Sequence, residues 1–279
     1  MTIYKSEAGA RLLRERYLEA LKAWPHDELR VPTPEGETFV VAAGPAEAPP
    51  LVLLHGSGSN SAEWAPRFPA LVEHFRVYAV DIIGEPGLSA ETRPPLTTDR
   101  YAGWLDAVLD HVGAARAAFL TSSFGGWLAL DYATRRPERV AALALRCPIG
   151  LGPMKKGFVV KAVLLALLGE RGRRRSVAGV LGEPESSPIV AQQLLVSANY
   201  RYRTGPFPVF GDAALSGLTM PVYAVAGAED AMVDSATTKR RLEAAGATVD
   251  LVPGTGHYIP GEADLEFLTR AAANGDFTA

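Results

Sequence analysis

Short apolar runs alternate with longer amphipathic stretches through most of this chain, and that alternation constrains its fold more than any other feature. The runs at 38–43, 50–54, 76–80, 116–121, 139–146, 220–226 and 247–252 are rich in Val, Leu and Ala and read as buried strands. Helical patterns lie between and after them, at 61–75, 97–112, 124–135, 235–245 and 261–273. Strand and helix in regular alternation predict an α/β fold: a mostly parallel sheet with helices on both faces. Residues 30–32 and 38–41, parted by Pro34-Glu35-Gly36, read as an antiparallel hairpin at its edge.

One junction in this pattern carries chemistry. The apolar run Ala117-Ala118-Phe119-Leu120 passes through Thr121-Ser122-Ser123-Phe124-Gly125 into the helical Gly126-Trp127-Leu128-Ala129-Leu130. A serine at a sharp strand-to-helix bend, with small residues two positions to either side, is a nucleophile elbow. Ser123 has Thr121 and Gly125 as flanks, whereas Ser122 has Leu120 and Phe124, too large for the turn. Ser123 is therefore the expected nucleophile. Thr121 departs from the glycine usual at the first flank, and its β-branch makes it stiffer there.

Two later strand ends supply partners. The run at 220–226 leads into Gly227-Ala228-Glu229-Asp230, and that at 247–252 leads into Gly254-Thr255-Gly256-His257. Asp230 is the expected orienting acid and His257 the expected base. Glu229 and Asp234 compete with Asp230, but Asp234 suits the cap of the helix starting near Ser235. The strand at 139–146 ends in Cys147-Pro148-Ile149-Gly150 without a carboxylate, which leaves the acid role to Asp230. A Gly-rich turn, His55-Gly56-Ser57-Gly58-Ser59, follows the strand at 50–54. It lets the Ser57 amide approach the elbow and, with the Phe124 amide, form an oxyanion hole. His55 reads as a structural hydrogen-bonding residue of that loop.

The remaining composition bounds the class. A chain of 279 residues, 48% apolar, suits one compact unit with a small inserted subdomain. The expected division is a core at 1–147 and 219–279 with a helical lid at 148–218. Two helical stretches, 155–169 and 187–199, are read in the lid, split by Gly172-Arg173-Arg174-Arg175 and Gly182-Glu183-Pro184-Glu185. The helix at 158–168, apolar nearly all round, is expected to pack inside the lid, with one face a candidate pocket wall. Phe124, Trp127, Met154 and Tyr258 are further pocket candidates. The lid holds nine cations, including Lys155, Lys156 and Arg173, against four carboxylates. Two readings of that charge stand side by side: a solvated surface docking on an acidic body, or attraction for an acidic substrate.

Net charge is −3, so no nucleic-acid partner is expected. The single Cys147 excludes an intramolecular disulfide framework and reads as buried filler. No metal-ligand cluster, P-loop or dinucleotide fingerprint is visible, so no metal and no cofactor are expected. Residues 4–24 carry charges throughout and place Leu13, Tyr17, Leu21 and Trp24 on one helical face, unlike a secretory leader. The longest apolar run, at 158–168, contains Lys161 and falls short of the ~20 residues of a membrane span. The expectation is a cytoplasmic protein with no membrane partner.

The order Ser123, Asp230, His257 follows that of α/β-hydrolases, and the chain resembles the NP-type bacterial carboxylesterases of that fold. The resemblance is sharpest in Ala48-Pro49-Pro50-Leu51-Val52-Leu53-Leu54-His55-Gly56, in Tyr78-Ala79-Val80-Asp81-Ile82-Ile83-Gly84, and in the Trp24-Pro25 ending of the first helix. Asp81, Gly84, Gly87 and Ser89 match the family's D-x-x-G-x-G-x-S loop with one extra residue. The resemblance implies the α/β-hydrolase fold with a lid after strand six. It also implies the roles given above to Ser123, Asp230, His257, Ser57 and Phe124. It implies cleavage of small, largely apolar carboxylic esters. Lactone, thioester and carbon–carbon cleavage remain open with the same triad, as does a non-hydrolytic ligand-binding role.

Overall fold

The computed structural model describes residues 2–155, 157–275 and 277, with Phe158 and Val159 described in backbone only. Eight strands form one sheet in the order β1-β2-β4-β3-β5-β6-β7-β8. They are β1 (Asp27–Val31), β2 (Thr38–Ala43), β3 (Pro50–Leu54), β4 (Arg76–Val80), β5 (Ala117–Ser122), β6 (Val140–Arg146), β7 (Val222–Gly227) and β8 (Thr248–Val252). β1 and β2 run antiparallel to their neighbours, and all other pairs are parallel. The edge hairpin and the parallel body thus match the sequence reading, the hairpin's first strand lying a few residues earlier.

Side-chain alternation builds a core on each face. Val52 and Leu54 of β3 point to one side, with Trp104 and Leu105 of α3 (Arg100–His111), Leu128 and Leu130 of α4 (Phe124–Arg135) and Leu242 of α9 (Ser235–Ala244). Leu51 and Leu53 point to the other, with Tyr17 and Leu21 of α1 (Glu7–Leu21), Leu71 of α2 (Phe68–Val72) and Leu268 of α10 (Ala263–Ala273). Central strands are buried throughout, whereas β1 and β8 are partly exposed edges.

Two helix expectations need correction. The stretch 61–75 is not one helix but a 3-10 turn at Ser61–Trp64 followed by the short α2. Pro66 and Pro69 withhold the amides a continuous helix needs there. Gly172-Arg173-Arg174-Arg175 is not a break; it lies inside α6 (Gly169–Leu181). α6 packs against α5 (Gly157–Ala166) so closely that a Cβ at Gly172 would collide with the Leu165 carbonyl. Close approach, not chain breaking, is the reason for that glycine.

The segment between β6 and β7 holds α5, α6, α7 (Pro188–Asn199) and the short α8 (Asp212–Ser216). Arg241 of α9 ties its two ends down, donating to the Leu151 carbonyl (2.5 Å), the Phe210 carbonyl and Asp212. The N-terminus grips its far side: Lys5 N–H donates to Asn199 O and Arg201 N–H to Ile3 O, both at 2.8 Å. Helix α5 packs within this insert on one side only, against α6, and not all round as expected. Val160, Val163, Leu164, Leu167 and Leu168 are all exposed. Lys156 and the side chains of Phe158 and Val159 lie outside the described residues.

Candidate active site

Ser123 occupies a backbone conformation that L-residues avoid, φ 48°, ψ −106°, between the end of β5 and the start of α4. Such strain costs of order 1–3 kcal/mol and persists only where the surroundings impose it. Here Ser123 N–H donates to the Arg146 carbonyl (2.8 Å), and a Cβ at Gly125 would strike the Leu54 carbonyl of β3. The elbow is therefore wedged against two strands. Thr121, the atypical flank, is fully buried beside Gly126; its Oγ1 lies 3.4 Å from where a Cβ there would stand. A Cβ at Gly126 would press first on Pro148, 3.1 Å away.

Ser123 Oγ lies 2.9 Å from His257 Nε2, and His257 Nδ1 lies 2.6 Å from Asp230 Oδ2. Ser122 makes no such contact. Asp230 is buried, and its other oxygen accepts from the amides of Met232 (2.7 Å) and Val233 (3.0 Å). Burial alone would raise this carboxyl's pKa. The His257 ring and the two amides outweigh it and hold the carboxyl below its ordinary range. An ionised Asp230 accepts a hydrogen bond from His257 Nδ1–H, so His257 Nε2 is the acceptor for the Ser123 hydroxyl. Glu229 is exposed, and Asp234 caps α9, accepting from Thr237 N–H (3.1 Å) and Thr237 Oγ1 (2.9 Å).

The loop after β3 lies alongside. A Cβ at Gly56 would sit 3.6 Å from Ser123 Cβ, which measures how near its backbone comes to the elbow. Among the described residues no acceptor meets the amides of Ser57 or Phe124; Phe124 opens α4, where helix amides have no internal partner. His55 is fully buried: its Nε2 accepts from Ile82 N–H (2.9 Å), so Nδ1–H donates to the Gly56 carbonyl (2.8 Å). Asp81 organises the next loop, accepting from Ser61 N–H, Ser61 Oγ, Tyr17 Oη and Leu88 N–H.

Two site residues escaped the sequence reading. Buried Glu85 accepts from Gly58 N–H (2.6 Å), Ser57 Oγ (3.2 Å) and Tyr200 Oη of the insert (2.7 Å). Burial raises its pKa, opposed by the Gly58 and Tyr200 donors. Cys147, buried as expected, stands just past the end of β6 with φ 43°. Its thiol sits beside Asp230, and burial first, then the Asp230 charge, pushes its pKa up to about 12. Donor atoms of Cys147, Asp230 and His257 lie within 4.8 Å of one another, but the last two are already hydrogen-bonded together.

The pocket candidates separate. Trp127 is buried under the insert, its Nε1–H donating to the Pro208 carbonyl (2.8 Å) and its ring 5.5 Å from that of Phe210. Phe124 packs on Phe207 and Tyr101. Met154 is half-buried ahead of Lys155, whose Nζ donates to the Asp230 carbonyl. Tyr258 is exposed beside His257. The insert also meets the histidine loop directly. His257 N–H and Tyr258 N–H donate to the Val180 and Leu181 carbonyls at the end of α6 (both 3.1 Å). Gly182 and Gly256 touch there backbone to backbone, so that a Cβ on either would collide.

A strand-to-helix elbow bearing a strained serine, beside a histidine and a buried aspartate from the loops after β8 and β7, is the arrangement of one fold class. Residues 51–270 match the alpha/beta hydrolase family, and the chain belongs to it. Among curated proteins, carboxylesterase YbfK of Bacillus subtilis is 28% identical over 270 residues, covering 91% of this chain and 89% of that one. The crystal structure of carboxylesterase CesB (YbfK) from Bacillus subtilis superposes with a TM-score of 0.81 at 27% identity, covering 96% and 98% of the two chains. That of naproxen esterase (carboxylesterase NP) from the same organism gives 0.78 at 25% identity, covering 97% and 98%. The resemblance read from the sequence is borne out.

Proposed function

We propose that the chain is a serine carboxylesterase that cleaves small, largely apolar carboxylic esters through an acyl-enzyme on Ser123. The observation that carries this is the unbroken line from Ser123 Oγ through His257 to Asp230, at 2.9 and 2.6 Å. The printed names of the similar proteins, carboxylesterases among them, support it. In this reading His257 Nε2 takes the hydroxyl proton as Ser123 Oγ attacks the ester carbonyl. The free amides of Ser57 and Phe124 receive the oxyanion. His257 returns the proton to the leaving alcohol, then deprotonates the water that releases the acid. Asp230 stays ionised and steadies the imidazolium. The insert at 148–218 serves as a lid, with Trp127, Met154 and Tyr258 at or near the substrate pocket.

A fluorophosphonate probe and p-nitrophenyl esters of graded acyl length test this. Wild type and Ser122→Ala are expected to label and turn over, and Ser123→Ala to do neither. Only a neutral imidazole can accept the hydroxyl proton, so activity is expected to fall toward acid while Asp230, held below its ordinary range, stays ionised. Labelling at Ser122, or a rate flat from neutral pH into acid with the fold intact, would overturn the assignment.

A further inference from the structure

Helix α5 and the turn that follows it present an aliphatic stripe to solvent. Val160, Val163 and Leu164 share one face of α5 at i, i+3, i+4 spacing, and Leu167 and Leu168 continue it in the turn before α6. They are 60%, 62%, 61%, 82% and 65% exposed. No other large apolar side chain among the described residues exceeds 50%. In a water-soluble helix such a stripe meets a core. Here the side of α5 that packs, near Leu165, faces α6, Leu168 edges against Gly172, and most of the stripe has no partner among the described residues.

Cations rim it. Lys161 lies on α5, and Arg171, Arg173 and Arg175 are exposed on α6; among the described residues none of the four joins an ion pair. Arg174 donates to the Glu185 carbonyl. Between 157 and 181 the single carboxylate is Glu170. An aliphatic face within a basic margin matches a surface that is apolar inside and anionic outside. A two-fold contact between copies of this chain would instead set the same cations against each other, which charge disfavours.

The helix that carries the stripe also lies near the candidate site, through residues beside the stripe. A cavity of about 130 Å³ separates Gly157 and Lys161 of α5 from Ser176, Gly179 and Val180 of α6 and from Ala231, the neighbour of Asp230. Val180 and Leu181 in turn hold the backbone of His257 and Tyr258.

We propose that the α5 stripe and its basic margin dock this protein on an anionic lipid–water interface, so that the Ser123 site is supplied with esters dissolved there. The docking stands on the exposed stripe alone; only the supply of esters rests on the esterase reading. It replaces the expectation of no membrane partner with a peripheral, salt-sensitive contact. No described helix is long and apolar enough to cross a membrane.

Co-sedimentation of the full chain with sucrose-loaded vesicles tests it. The vesicles are phosphatidylcholine with roughly 30 mol% phosphatidylglycerol, compared with phosphatidylcholine alone. Wild type is expected to pellet with the anionic vesicles and to be released at about 0.5 M salt. Combining Leu164→Ser, Leu167→Ser and Leu168→Ser should weaken partitioning at least about tenfold, since the apolar part of the contact is lost. Phosphonate labelling and circular dichroism of that variant should match wild type. Combining Arg171→Gln, Arg173→Gln and Arg175→Gln should remove most of the salt dependence. Absence of wild-type binding, or equal binding by the serine variant, overturns the proposal. So does a wild-type dimer in analytical ultracentrifugation that the serine variant dissolves, because the face would then belong to a second copy. A wild type that pellets but takes no phosphonate would sink the esterase reading and leave the docking intact.

Discussion

Helices α4 and α5 are both strongly apolar, and the molecule treats them in opposite ways. Ten of the twelve residues of α4 are buried. Its apolar surface is divided between the sheet, α3 and the underside of the insert, where Trp127 meets Phe210. α5 has α6 on one side and water on the other. An apolar sequence requires an apolar partner without specifying where in the chain that partner lies. For α4 it lies within the fold, and the helix becomes the fixed base of the elbow. For α5 it is not found within the described chain, and the helix presents a surface.

If chemistry belongs to the fixed half and not to the exposed one, substitutions should divide along that line. The largest effect is expected at Asp230. Asp230→Asn should cut kcat by about 10⁴-fold, as loss of the tautomer-setting acid does in serine proteases, with circular dichroism unchanged. Glu229→Gln and Asp234→Asn should stay near wild type, and a dead Glu229→Gln beside an active Asp230→Asn would refute the assignment. Stability should divide just as sharply. Leu130→Ala in fully buried α4 is expected to cost about 2–5 kcal/mol in urea unfolding. Leu164→Ala in α5 should stay within about 0.5 kcal/mol; equal losses would erase the contrast between the helices. The smallest effect tests the bridge between the two halves. Glu85→Gln should slow ester turnover by roughly five- to tenfold, equivalent to one hydrogen bond of about 1 kcal/mol to the Ser57–Gly58 loop. A wild-type rate would show that the loop keeps its shape without the carboxylate.

The strands were legible because β3 to β7 are buried on both faces, so each reads as an uninterrupted apolar run. The proposed triad was legible because each member sits at a strand end with its own local signature: an elbow, an acid after a strand, a histidine between small residues. Glu85 and Cys147 carry no such signature. Their meaning comes from contacts with residues distant in sequence, Gly58 and Tyr200 for one and Asp230 for the other, which no local pattern announces. The insert was least legible. Gly172 resembles a helix breaker until Leu165 is seen against it, and the apolar run at 158–168 resembles a core element whichever way it faces.

The contact of Gly182 with Gly256 bears on how far the insert can be treated as a replaceable part. Part of the boundary between insert and body is made by side chains, which can be exchanged for others of similar shape. Here two glycines meet backbone to backbone, beside the histidine. A lid transplanted from another hydrolase would have to arrive with a glycine at position 182 and α6 ending at the same depth. A side chain there would push on Gly256, and the displacement would reach His257 one residue later. In directed evolution of this chain, the surface of the insert away from the α5 stripe is open ground, whereas the end of α6 belongs, for practical purposes, to the histidine loop.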